Sequence, residues 1–111
     1  MSPGALTGRM APVRRIVLDV LKPHEPELVG FTERLADLDG VDAVDASLIE
    51  LDREVQNVRL AVEGESLDYE AIRDAVRDLG GTVHSVDGVA CGEYVLREPT
   101  GPSSSGAAWL R

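Results

Sequence analysis

The 111-residue chain carries 11 lysines and arginines against 20 aspartates and glutamates, a formal net charge of -9 that repels polyphosphate and argues against a nucleic-acid partner. Its one cysteine, Cys91, allows neither an intramolecular disulfide nor a paired-thiol metal loop, and points to a reduced cytoplasm. No apolar run approaches the roughly 18 residues of a membrane span, so a soluble cytoplasmic protein with no membrane partner is expected.

Lys22 is the one lysine among the basic residues, and the acids are spread from Asp19 to Glu98 instead of forming a tail. That pattern suits a cytosol of very high salt, where repulsion between surface carboxylates is screened over short distances.

Residues 1–12 are small and broken by Gly and Pro, and read as a flexible N-terminal segment. Residues 99–111, PTGPSSSGAAWLR, read as a flexible C-terminal tail. A single domain is expected over 13–98. From Val13 to Leu21, Ile16, Leu18 and Val20 share one face of a strand, with Arg15, Val17 and Asp19 on the other. Pro23 stops the ladder, and Pro26 with Glu27 supplies a helix start. The helix buries Leu28, Phe31, Leu35 and Leu38 and closes at Gly40.

VDAVDASLIELD and EVQNVRLAVEG read as two strands of a hairpin turning at Asp52 and Arg53, with Val58, Leu60 and Val62 alternating against Asn57, Arg59 and Ala61. Ser66 is expected to cap a second helix whose apolar stripe is Leu67, Ala71, Ile72, Ala75, Val76 and Leu79. Gly80 and Gly81 end that helix. TVHSVDGVA is a fourth strand, and EYVL after Gly92 is a candidate short fifth.

The order βαββαβ, with two right-handed strand-helix-strand units interleaved through a hairpin, implies an α+β ferredoxin-like sandwich. Its four-stranded antiparallel sheet has the order 4-1-3-2 and both helices on one face. The other face is left open, carrying Arg15, Val17, Asp19, Asn57, Arg59 and Ala61.

In this fold the end of the first strand lies beside the start of the fourth. Asp19 then approaches His84, Ser85 and Asp87, with His24 and Glu25 in the loop above. Two readings stand. In one, Asp19, His24, Glu25 and Asp87 hold a hard divalent cation, Ca²⁺ foremost. In the other, Asp19 pairs with Arg15, Arg59 or a neighbouring subunit's arginine, and Glu25 caps the first helix.

Ser85, His84 and Asp87 lie in one strand, where neighbours point to opposite faces, so a hydrolytic triad is excluded. Cys91 has no activating base beside it and reads as a small semi-buried residue. The run Asp37, Asp39, Asp42, Asp45 lacks the glycine and terminal glutamate of a calcium loop and reads as a solvated rim. Tyr69 and Tyr94 are too few for an RNA-stacking surface.

The stretch LADLDGVDAVDASLIELDREVQNVRLAVEG to AIRDAVRDLGGTVHSV resembles the heavy-metal-associated domain of copper chaperones. The metal-binding thiol pair of that family is replaced here by KPHEPE, so soft-metal carriage does not follow. A closer resemblance runs from Val13 to Glu98. RIVLDVLKPHEP, GVDAV, LDYEAIRDAVRDLGGTVHSVD and VACG resemble an archaeal family, domain of unknown function 211. That resemblance implies a ferredoxin-like fold, homo-oligomeric rings and a calcium site, in a family with no established enzymatic activity; the acidic, lysine-poor composition suggests a haloarchaeal member. The expectation is a non-enzymatic cytoplasmic ring protein binding a divalent cation. Its rival is a regulatory module that binds a small metabolite between subunits.

Overall fold

A computed structural model describes residues 11–93. Residues 1–10 of the expected flexible segment 1–12, the expected flexible tail at 99–111, and all but Glu93 of the candidate fifth strand after Gly92 lie outside the described residues. The elements are β1 (Val13–Pro23), α1 (Leu28–Ala36), β2 (Ala43–Leu51), β3 (Val55–Glu63), α2 (Tyr69–Asp78) and β4 (Thr82–Cys91). The sheet has the order β2-β3-β1-β4 with every neighbouring pair antiparallel, which is the expected ferredoxin-like α+β arrangement.

The core follows the alternation of the central strands. Ile16, Leu18 and Val20 of β1 and Val58, Leu60 and Val62 of β3 meet Phe31 and Leu35 of α1, Ile72 and Val76 of α2, and Leu67 ahead of α2. Each such side chain contributes about 1.5–3 kcal/mol by leaving water. The register pairs Ile16 with Val62, Leu18 with Leu60 and Val20 with Val58, so the two central strands present one apolar sheet to both helices.

Several boundaries differ from expectation for local reasons. Pro23 does not stop β1 but ends it, paired with Val55 of β3. The β4 ladder begins only at the Leu21–Thr82 pair, so Pro23 is flanked by one strand and its missing amide costs no bond on the other side. Pro26 lies ahead of α1 instead of within it: Glu27 is the N-cap and makes no side-chain cap bond. Asp68, not Ser66, caps α2, its carboxylate accepting from the amides of Glu70 at 3.1 Å and Ala71 at 3.3 Å. Leu67 is drawn into the core and its amide donates to the Val13 carbonyl at 2.9 Å, which holds Ser66 outside the helix. Ala71, assigned to the buried stripe, is exposed on α2.

The chain after β3 is packed against the end of α1. A Cβ on Gly64 would overlap the Gly40 carbonyl oxygen and come within 2.8 Å of a Leu67 methyl, so this position needs glycine for close approach. Gly80 ends α2 with φ +91, and the Gly81 amide returns to the Val76 carbonyl at 2.9 Å, the usual closure of a helix by a left-handed glycine.

Candidate functional site

The sheet face opposite the helices is built from alternate residues of four strands. Across β1 and β3, Val17 faces Ala61 and Asp19 faces Arg59. On β2, Asp45 faces Ala61 and Ser47 faces Arg59; on β4, Ser85 faces Asp19 and Gly88 faces Val17. Two clefts open on this face. One of about 330 Å³ is lined by Arg15, Val17, Asp45, Ser47, Arg59 and Ala61. The other, about 480 Å³, is lined by Asp19, Leu21, Glu50, Leu51, Asp52, Val55, Asn57 and His84.

The four expected cation ligands are placed differently from one another. Asp19 is on the open face, where its carboxylate accepts from the Asn57 side-chain amide. Asn57 sits diagonally, two residues along β3 from the Arg59 directly opposite, and it takes the place of the expected arginine partner. His24 Nε2 donates to the backbone carbonyls of Asp52 at 3.2 Å and Arg53 at 2.9 Å, tying the β1–α1 loop to the β2–β3 turn. Both partners are carbonyls, so Nε2 carries the proton. Glu25 is exposed in the same loop and does not cap α1. Asp87 accepts from the Ser85 hydroxyl at 2.7 Å, near two register shifts in the β1–β4 ladder.

Among the described residues, no group of three or more His, Cys, Asp or Glu side chains is placed to hold a metal ion. The physical reason is local: strand alternation turns Asp19 to the open face while the loop folds His24 onto the hairpin. His84, which the sequence places near Asp19, does line the larger cleft with it. Arg15 reaches Glu63 at 3.8 Å. Cys91 is exposed at the end of edge strand β4 instead of semi-buried. Asp37, Asp39, Asp42 and Asp45 are all exposed, as expected of a solvated rim.

Sequence reasoning missed Lys22. It is 0 % exposed, continuing the row Ile16, Leu18, Val20 into the core. Its Nζ donates to the Pro23 carbonyl at 2.8 Å and to Gln56 Oε1 at 2.8 Å, and lies 5.8 Å from the Phe31 ring centroid. Burial pulls its pKa below the ordinary 10.5, with the charges of Glu25 and Glu27 acting in the opposite direction. The signal was parity: position 22 has the phase of the core residues.

The chain is 41% identical over 90 residues to the uncharacterized protein MJ0319 of Methanocaldococcus jannaschii, an alignment covering 81% of this chain and 93% of that protein. The family model DUF211, described as uncharacterized ArCR, matches residues 14–104. Nearly the whole described domain lies within that match, and the chain belongs to the DUF211 family.

Proposed function

We propose that the protein is a non-catalytic, cytoplasmic, self-assembling protein in which copies join head to tail through the two edges of the sheet and close into a ring. The observation that carries this reading is the position of the exposed large apolar side chains among the described residues, all but Val29 of α1 lying on two strands. Leu48, Ile49 and Leu51 on β2 are 45%, 58% and 61% exposed; Val86 and Val89 on β4 are 46% and 58% exposed. These are the two edge strands, where an unpaired ladder and an apolar surface together invite a neighbour.

Topology favours a second copy as that neighbour. An antiparallel sheet with an even number of strands has edges running in opposite directions, so β4 of one copy meets β2 of the next antiparallel when both copies keep the same orientation. Such a contact is heterologous, and it forms a ring when the rotation between copies closes. The acidic composition supports a high-salt cytosol as its setting.

A divalent cation, Ca²⁺ foremost, is the finer part of the reading. Ca²⁺ takes about 6–8 oxygen ligands, and one copy's described residues offer no group of three. A cation at Asp19, or at His24, Glu25 and Asp87, is accordingly assigned to an assembled form, in which a neighbouring copy adds side-chain ligands.

Native mass spectrometry of the protein exposed to Ca²⁺, Mg²⁺ and Zn²⁺ tests both parts. A closed oligomer is expected, reduced to monomers by Leu51→Glu or Val89→Glu with the circular dichroism unchanged. A wild-type monomer would end the self-assembly reading. An oligomer that retains no cation, with melting unaffected by metal in the wild type and in Asp19→Ala/Asp87→Ala, would end the cation reading alone.

A further inference from the structure

One guanidinium on the open face, that of Arg59, has no hydrogen-bond or ion-pair partner among the described residues. Arg59 lies on β3, between Ser47 of β2 and Asp19 of β1. Opposite charges facing each other across strands ordinarily pair. Here the Asp19 carboxylate takes the Asn57 amide instead, and the Arg59 side chain makes no hydrogen bond or ion pair among the described residues. Asp45 is diagonal to Arg59 and within reach of so long a side chain, yet no ion pair joins these two either.

Both groups line the smaller cleft. Its floor is apolar: Ala61 and Val17, the latter only 6% exposed although it lies on the face without helices. Ser47 adds a hydroxyl beside Arg59, and Arg15 stands at the end held toward Glu63. At about 330 Å³ the cleft is at the lower end of the roughly 300–1,000 Å³ typical of ligand pockets, so its occupant is small.

The charges narrow the ligand class. Arg15 and Arg59 disfavour a metal cation in this cleft. Asp45 and a net charge of -9 disfavour a polyanion. A molecule bearing both signs satisfies both walls. We propose that the cleft binds a free α-amino acid, with its carboxylate on the Arg59 guanidinium and Ser47 hydroxyl, its ammonium on Asp45, and its side chain over Val17 and Ala61. The planar guanidinium offers two parallel donors to a carboxylate, and each charge-assisted bond is stronger than a neutral one. The site lies within one copy, so it stands or falls separately from self-assembly.

Isothermal titration of the full-length protein with each of the twenty free amino acids, at constant high salt, tests the assignment, with native mass spectrometry of the same samples recording the oligomeric state. One amino acid or one side-chain class is expected to bind. Arg59→Gln and Asp45→Asn should each weaken it about ten-fold or more. The N-acetyl derivative, which lacks the ammonium, should bind the wild type as weakly as the parent amino acid binds Asp45→Asn, and should lose nothing further in that variant. Binding by none of the twenty, unchanged binding in Arg59→Gln, or equal binding of the N-acetyl derivative to the wild type would each overturn the proposal. The last comparison uses wild-type protein and holds even where a variant fails to fold.

Discussion

Replacing Lys22 by methionine separates the two things its side chain does. The stem fills space beside Phe31, and methionine keeps most of that volume. The ammonium makes two bonds of 2.8 Å to neutral oxygens and lies 5.8 Å from the ring centroid. Hydrogen bonds from a charged donor contribute about 1.5–3 kcal/mol each, and the ring contact on the order of 1 kcal/mol. Against them stands a penalty of several kcal/mol for taking an ammonium out of water. The terms nearly offset, so Lys22→Met is expected within about 2 kcal/mol of wild type near neutral pH. Lys22→Ala, which empties the space, should lose about 2–5 kcal/mol.

The pH dependence isolates the charge. Burial holds the folded-state pKa of Lys22 below 10.5, so as pH rises the folded protein releases this proton before the unfolded chain does. Stability then increases with pH between the folded pKa and 10.5, by at most about 1.4 kcal/mol per pH unit. Below that window the ammonium is charged in both states and its full burial penalty stands; above it the penalty is gone. Methionine has no such window. Urea unfolding of both proteins from about pH 7 to 11 at fixed salt gives the difference in free energy, in which titrations common to both cancel. Wild type should gain on Lys22→Met as pH rises. A flat difference would refute the reasoning by showing that burial leaves this ammonium's proton affinity unchanged, and a wild type that loses ground as pH rises would make the buried ammonium a net stabiliser.

Two further substitutions test the packing at the ends of the helices. Gly64→Ala drives a methyl into the Gly40 carbonyl and should cost about 1–3 kcal/mol, or roughly 5–20 °C in Tm; melting alongside wild type would show that the backbone there can yield. Asp68→Ala should lose about 1 kcal/mol by removing the α2 cap, whereas Ser66→Ala should stay within about 0.5 kcal/mol, and the reverse order in chemical denaturation would restore Ser66 as the cap.

The strand order was legible because β3 alternates cleanly, the core positions of β1 keep the same phase, and each helix is bracketed by glycine or an acidic start, so local preference and topology agree. What was not legible depended on choices between locally adequate alternatives. Ser66 and Asp68 can each cap a helix; the bond from the Leu67 amide to Val13, made only once β1 is in place, selects the second. Alternation put Lys22 in the core while residue chemistry put it in water, and the acceptors that resolve this come from Pro23 and Gln56, the latter 34 residues away. Asp19 was readable as a paired group, but the choice of diagonal Asn57 over directly opposite Arg59 is a matter of side-chain reach that strand register does not specify. The gathering of His24 with Asp19 required the β1–α1 loop to fold toward the open face. It folds instead onto the β2–β3 turn, whose position over the end of β1 is a property of the assembled sheet.

The acidity and the apolar edges make opposite demands on self-assembly, and salt decides between two kinds of contact. Each copy brings a net charge of -9 to any interface, so association at low ionic strength is opposed by long-range repulsion. The screening length falls from roughly 10 Å at 0.1 M to about 3 Å at 1 M, which removes most of that opposition while leaving apolar contacts intact. An assembly joined through Leu48, Ile49 and Leu51 against Val86 and Val89 therefore tightens as salt rises. One joined through a subunit's Asp19 and a neighbour's arginine loosens, because the same ions screen the attraction. Sedimentation velocity of the wild type from about 0.1 to 3 M KCl separates the two: dissociation on raising the salt would move the interface from the edges of the sheet to its charged face.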